Sequence, residues 1–210
     1  TFISDELFEI QLERGGVQFE PGACVALFND GVESRPYSIA AGTGEEILRF
    51  LIRRVPNGIV SDWLAQRKPG YLVRASAPFG WFRPGRSVNA ERSIFIATGT
   101  GIAPFLSYLR SYPQQKPELC LYGIRRLEEA FNLKELQSLC NFRLALSQEE
   151  VSNHFHGRVT GQLEQIPLAT DIHYYLCGLD TMIDETSKWL EDQGIAYTQI
   201  HREIFFYEDA

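Results

Sequence analysis

Two clusters in this 210-residue chain have residue types and spacings suited to holding phosphate. The first is Thr98-Gly99-Thr100-Gly101-Ile102-Ala103-Pro104, directly after the buried-type strand Ile94-Phe95-Ile96-Ala97 and directly before a helical period. Glycines at such a junction let the backbone approach a pyrophosphate while helix-terminal N–H groups face it. Pro104 suits a first helical turn, where a missing N–H costs nothing. It also stands where the usual Gly-x-Gly-x-x-Gly fingerprint has its third glycine, so the motif is a variant, with a plain strand-to-helix turn as the alternative reading. The second cluster is Arg35-Pro36-Tyr37-Ser38-Ile39-Ala40, in which a guanidinium can bind phosphate, a ring can stack and a hydroxyl can donate or accept a hydrogen bond. Gly58-Ile59-Val60-Ser61, at the start of a helix, adds a further cradle. Taken singly, Tyr37 and Ser38 are an ordinary strand entrance and Ser61 an N-cap.

Other chemistries find less support. Cys24, Cys120, Cys140 and Cys177 contain no CxxC pair and sit mostly in apolar runs, so neither a zinc site nor an iron–sulfur cluster is encoded. A reducing, cytoplasmic setting is expected. His154 and His156 have no third ligand nearby and read as a surface loop, so no metal is expected. Net charge is −7, which argues against nucleic acid as a partner. Residues 47–92 nevertheless hold nine basic side chains against two acidic ones, a local excess of +7 that leaves −14 for the rest. Such a block matches a phosphorylated cofactor or an acidic partner protein, or else is a set of scattered solvated arginines.

Two kinds of element must position these clusters. From Glu6 to about Ala77 apolar residues recur mainly every second position, as in Ile47-Leu48-Arg49-Phe50-Leu51-Ile52-Arg53, between Gly- and Pro-bearing turns. This predicts an antiparallel β-barrel or sandwich, with one helix from near Ser61. After Pro84, apolar runs at 94–97, 119–122, 142–146 and 173–177, with a last candidate at 197–200, alternate with helical stretches near 104–112, 132–139, 161–166 and 180–193. Alternation of this kind predicts a parallel sheet of βαβ units. Phe82-Arg83-Pro84-Gly85-Arg86-Ser87 reads as a linker, dividing the chain into a barrel over 1–86 and an α/β domain over 87–210. The longest mainly apolar stretch, Ile94 to Leu109, is broken by Thr98-Gly99-Thr100-Gly101, so no membrane span is expected. The start at Thr1 lacks a leader and an initiator Met, as if a short N-terminal piece had been trimmed.

The ordered motifs Arg35-Pro36-Tyr37-Ser38, Gly58-Ile59-Val60-Ser61, Ala77-Pro78-Phe79-Gly80, Gly99-Thr100-Gly101-Ile102-Ala103-Pro104, Tyr122-Gly123-Ile124-Arg125, Gly157-Arg158-Val159-Thr160 and Cys177-Gly178, with Glu203 and Phe205, resemble the ferredoxin–NADP reductase family of flavoproteins over nearly the whole chain. The resemblance implies a flavin-binding antiparallel barrel followed by a parallel-sheet nucleotide-binding domain. By the same resemblance, Arg35 and the Gly58–Ser61 turn would hold the flavin phosphates, Tyr37 would pack on the isoalloxazine or its ribityl arm, and Ser38 would hydrogen-bond the reactive central-ring nitrogen. Thr98 and Gly99 to Pro104 would cradle the nicotinamide dinucleotide. Cys177, with Gly178 beside it, and Glu203 would sit next to the nicotinamide and the flavin, although a cysteine after an apolar strand is usually core and a C-terminal Glu is usually solvated. Ile204-Phe205-Phe206-Tyr207 would cover the flavin face, or else form a final core strand; the family's short forms end at such an aromatic, whereas this chain runs on to Ala210.

The implied activity is an FAD-dependent oxidoreductase that passes a hydride from NAD(P)H to flavin and then single electrons to a separate ferredoxin or flavodoxin. The alternatives are an NAD(P)H:flavin or quinone reductase with a small acceptor, and a non-catalytic nucleotide-binding subunit of a larger redox complex. FAD is preferred to FMN because the Gly58–Ser61 turn suits a pyrophosphate and Trp81 or Phe82 could stack an adenine, unless both are interdomain packing. Arg125 and Arg126 after the second strand of the α/β domain favour NADPH over NADH. Ser147 is followed by Gln148, where NADP-binding members of the family usually have Ser-Arg.

Overall fold

The computed structural model describes residues 1–86 and 92–206, so the expected boundary falls at the edge of the described residues and Ser87 lies outside them, as do Tyr207 to Ala210. The first half is built from β1 (Leu7–Glu13), β2 (Cys24–Phe28), β3 (Ser34–Ser38) and β4 (Ile47–Arg53). β1 pairs antiparallel with β4 and β2 with β3. A single bridge, Ile39 to Phe50, links the two pairs, and bridges Cys24 to Phe79 and Leu27 to Ala75 set the 75–79 segment along β2. The alternation in β4 has the predicted consequence. Leu48, Phe50 and Ile52 enter the barrel core with Phe8, Leu27 and Ile39, whereas Leu51 faces the other half of the molecule. The short helix α1 (Ser61–Ala65) follows. Its N-cap is Val60, and Ser61 Oγ instead accepts a 3.0 Å hydrogen bond from Val55 N–H, closing the turn before the helix.

The second half is a six-stranded parallel sheet of β5 (Arg92–Thr98), β6 (Leu119–Ile124), β7 (Phe142–Leu146), β8 (Phe155–His156), β9 (Ile172–Leu179) and β10 (Ile200–Phe206), in the order β10-β9-β5-β6-β7-β8. Helices α2 (Ala103–Ser111), α3 (Leu133–Leu139) and α4 (Asp180–Asp192) lie between strands. Successive residues of β5 serve opposite faces, as the pleat requires. Phe95 and Ala97 join α2 and α3 on one face, and Ile94 and Ile96 face α4 on the other. His156 lies in edge strand β8, not in a loop, with Nδ1 3.0 Å from the Glu149 carbonyl oxygen.

Two element expectations need correction. Tyr197–Gln199 forms a 3-10 turn, and the last strand begins only at Ile200. The β-favouring types Tyr and Thr are outweighed there by Gln199, whose buried amide donates to the Ile172 carbonyl at 2.8 Å and bends the chain onto β9. The helix expected at 161–166 is a 3-10 helix over Val159–Gln165. No helix among the described residues is long and apolar enough to cross a membrane.

The halves share one core. Leu7, Ala40, Leu51 and Phe82 pack with Phe95, Phe105 and Tyr175. Ser107 Oγ donates to the Ala41 carbonyl at 2.7 Å, and Arg110, paired with Glu135 at 2.7 Å, donates to the Ala40 carbonyl at 2.6 Å. Phe82 therefore does not stack an adenine: its ring lies 5.9 Å from both Phe105 and Tyr175 inside this joint, while Trp81 is 95% exposed.

Candidate functional site

Two cavities meet at the joint. The first, about 490 Å³, opens on the barrel. β3 contributes Arg35, Pro36, Tyr37 and Ser38, and the turn before α1 contributes Gly58, Ile59, Val60 and Ser61. From the α/β half come Thr100, Glu203, Ile204 and Phe205. The walls are mostly apolar, and burial shows in the ionisable groups. The Tyr37 phenol is pushed up to about 12, and the Glu203 carboxyl is raised above its ordinary value, both by desolvation. Ser38 is buried, and its Oγ lies 3.2 Å from Cys24 Sγ. Burial raises the Cys24 thiol against the opposing hydrogen bond from Ser38.

The second cavity, about 460 Å³, lies at the carboxyl ends of β5, β6, β7 and β9. Neighbouring strands on the two sides of β5 run off in opposite directions of chain order, the usual place for a ligand on an open parallel sheet. Thr98, Gly99, Arg125 and Ser147 line it, together with Gln148 and Arg158. Gly99 and Gly101 do different work. A Cβ at Gly99 (φ +53°) would point toward open space, with Arg53 Nη2 3.9 Å away. A Cβ at Gly101 would stand 2.2 Å from the Cys177 carbonyl oxygen, so this glycine admits the protein's own β9 rather than a ligand. Thr98 Oγ1 accepts from Leu179 N–H at 2.9 Å, locking the same crossing.

Arg53 and Val55 line both cavities. Arg53 bonds Glu6 at 3.1 Å and Glu129 at 3.0 Å, tying barrel to α/β domain at the seam. The consecutive residues Gly99 and Thr100 also split between the cavities. Cys177 lines neither. It is fully buried, its thiol pushed well above its ordinary value by desolvation, and it pairs in register with Glu203. Gly101, Pro104 and Gly178 likewise lie behind the walls: Gly101 and Pro104 are buried at the head of α2, and a Cβ at Gly178 would strike Thr98. Arg126 is exposed outside the second cavity.

The basic block is not a patch. Arg49 pairs with Glu9 and Glu45, Arg53 with Glu6 and Glu129, Arg54 with Asp62, Arg67 with Asp30, and Arg92 with Glu118 and Asp171. Asp62 belongs to the block itself and Glu45 lies beside it, whereas Glu6, Glu9, Asp30, Glu118, Glu129 and Asp171 come from elsewhere in the chain and offset part of the local excess.

The arrangement has known counterparts. Residues 95–188 match the family described as "Oxidoreductase NAD-binding domain". A crystal structure of a ferredoxin NADP+ reductase from Neisseria gonorrhoeae, with bound FAD and NADP, superposes with a TM-score of 0.88 at 21% identity, covering 97% of this chain and 94% of that one. The fold of this chain is that of the ferredoxin–NADP reductase structure. The anthranilate 1,2-dioxygenase electron transfer component of Acinetobacter baylyi is 31% identical over 90% of the chain and 59% of its own length. The reductase component of the naphthalene 1,2-dioxygenase system of Pseudomonas putida is 25% identical over 90% of the chain and 61% of its own length. The chain thus spans about three fifths of the length of these curated relatives.

Several wall residues escaped the sequence reading as site residues. Phe79 and Gly80 in the barrel cavity and Arg158 and Thr160 in the second lie inside motifs already noted, so a signal existed. Cys24 and Arg53 carried none: one looked like core, the other like part of a charged run.

Proposed function

We propose that the chain is an NAD(P)H-dependent flavoprotein reductase that binds FAD in the barrel cavity and a nicotinamide dinucleotide in the second, and hands electrons to a separate acceptor. What carries this reading is the shared wall: Arg53 and Val55 border both cavities, so ligands filling them would meet at the seam. The donor set suits a flavin, with Arg35 and the Gly58–Ser61 turn for phosphates and an apolar slot between Tyr37 and Phe205 for a flat ring system. A bound flavin supplies the redox chemistry, taking a hydride from the reduced nicotinamide and releasing electrons to the acceptor.

The chain's own task is orientation and exclusion of water. Ser38 would offer a hydroxyl to a flavin held in this cavity, and Glu203 a carboxyl that burial biases toward its protonated form. Phe205, in the cavity wall, would cover a bound flavin ring. Cys177 backs this region from behind β10. Turn 98–104 receives the pyrophosphate through Gly99, with Gly101, Pro104 and Gly178 setting the turn's position. Arg125 and Arg158, in the cavity wall, would meet a 2′-phosphate, which favours NADPH even with Gln148 in place of an arginine; exposed Arg126 lies outside that wall. FAD is favoured over FMN by the turn before α1, and exposed Trp81 remains the adenine platform. The boundary between units is kept at 86/87.

The relatives named above, an electron transfer component and a reductase component, support a separate acceptor, which this reading takes to be a ferredoxin or flavodoxin in the cytoplasm. Neutralisation of the basic block favours a second reading, reduction of free flavin or quinone. Turnover with a ferredoxin that falls steeply with salt supports the protein acceptor, because screening weakens charge steering and leaves neutral quinones untouched. The first test is an anaerobic titration of the purified protein with NADPH and then NADH. Bands near about 450 nm that bleach at about one equivalent support the reductase. Their absence, with no uptake of added FAD, overturns it in favour of a nucleotide-binding subunit.

A further inference from the structure

We propose that Cys24 is a positioning residue for the barrel cavity: its thiol donates a hydrogen bond to Ser38 Oγ and so turns the Ser38 hydroxyl proton toward the cavity. The role rests on the flavin assignment above. Three observations carry it. Cys24 and Ser38 are cross-strand partners at the end of the β2–β3 ladder. Cys24 spends both backbone groups on Phe79 on its other side, with N–H to the Phe79 carbonyl at 2.7 Å and its own carbonyl receiving Phe79 N–H at 2.9 Å. Its pairing with Ser38 is therefore of the non-hydrogen-bonded kind, in which side chains approach most closely. The sulfur accordingly lies 3.2 Å from the hydroxyl oxygen, and both residues line the cavity.

Either atom could donate, and the thiol is assigned as donor because the hydroxyl oxygen is the better acceptor of the two. A hydroxyl has one proton and two lone pairs, whereas sulfur is a weak acceptor. Burial and the nearby Glu203 carboxylate raise the thiol, outweighing Ser38 and Arg83, so the proton stays on sulfur at neutral pH. Ser38 Oγ, buried and with Cys24 as its partner among the described residues, accepts from that S–H. Its own proton is then left for whatever fills the cavity.

Four proteins test this: Cys24→Ala, Cys24→Ser, Ser38→Ala and the double alanine variant, each compared with wild type. Flavin affinity of the apoprotein, the position of the visible bands and the rate of bleaching by saturating NADPH are read for each. Expected is a Cys24→Ala protein that keeps its flavin affinity, shifts the bands and bleaches about fivefold more slowly. Cys24→Ser restores bands and rate to within about twofold, since a hydroxyl donates in place of the thiol. In the Ser38→Ala background, Cys24→Ala changes nothing further, because it acts through the missing hydroxyl. Additive losses, a Cys24→Ala protein as fast as wild type, or a Cys24→Ser protein that recovers nothing each overturns the proposal. Wild type that takes up no flavin overturns instead the assignment on which it rests, and is seen before any variant is compared.

Discussion

The two cavities are close in size, about 490 and 460 Å³, but are made in different ways. The second is lined chiefly by turns that leave the carboxyl ends of strands in one sheet, and it is rich in charge, with Arg125, Arg158, Glu129 and Glu185 in its wall. The first is closed by segments as distant in sequence as Cys24 and Phe205, and apart from Arg35 and Arg53 it holds groups that are neutral or biased toward neutrality, among them Ser38, Tyr37 and the raised Glu203. A charged, strand-end pocket can select an anionic ligand by Coulomb attraction. A mostly apolar, composite pocket instead can orient a flat one and tune protons within it. The difference predicts that perturbations at the seam strike both cavities, and that others strike one at a time.

Gly101→Ala should be the most damaging change. Its Cβ would enter the Cys177 carbonyl, and the turn it displaces carries Gly99 to one cavity and Thr100 to the other. Overpacking against backbone typically costs about 1–3 kcal/mol or more. Thermal unfolding should show a drop of several degrees, with flavin and nucleotide affinity both reduced; loss at one cavity alone would break the claim that they share this turn.

Removing Ser38 should separate the cavities. We expect Ser38→Ala to retain flavin and nucleotide affinity while hydride uptake falls at least about tenfold, read by stopped-flow bleaching at saturating nucleotide. An effect on KM instead would move Ser38 to a binding role. Arg158→Ala and Arg125→Ala should do the converse, each raising the KM for NADPH about tenfold and leaving flavin content and the NADH reaction largely unchanged. Equal losses with both nucleotides would remove the 2′-phosphate contact.

The smallest expected effect is a pH dependence. Burial holds the Glu203 carboxyl above its ordinary value of 4.5, so the folded protein binds its proton more tightly than the unfolded chain does. The resulting stability is present in full below pH 4.5 and is lost as pH rises through the folded value. Glu203→Gln should therefore gain thermal stability relative to wild type between mildly acidic and neutral pH. Parallel curves for the two proteins would mean that Glu203 is not desolvated.

Legibility in the sequence followed the same division. The strand-end pocket could be read from Thr98 and Gly99, from the strands either side and from Arg125, because each such turn is set by the dihedral freedom and hydrogen bonding of a few adjacent residues. The barrel was legible as period-two alternation in β4, and Arg35 to Ser38 as a polar group on a strand. What escaped depended on partners far along the chain. Cys24 meets Ser38 only once β2 and β3 pair, Phe82 finds Phe105 and Tyr175 only when the halves dock, and Gln199 bends the chain only where the Ile172 carbonyl awaits its amide.

By itself, then, the sequence determined where the backbone turns, which faces are apolar and which short motifs can cradle phosphate, since these are properties of neighbouring residues. Tertiary structure alone decided which charges survive. The basic run at 47–92 was real in the chain, yet Arg49, Arg53, Arg54, Arg67 and Arg92 each came to rest beside a carboxylate. Coulomb energy depends on distance in space and on burial, and neither is a function of separation along the chain.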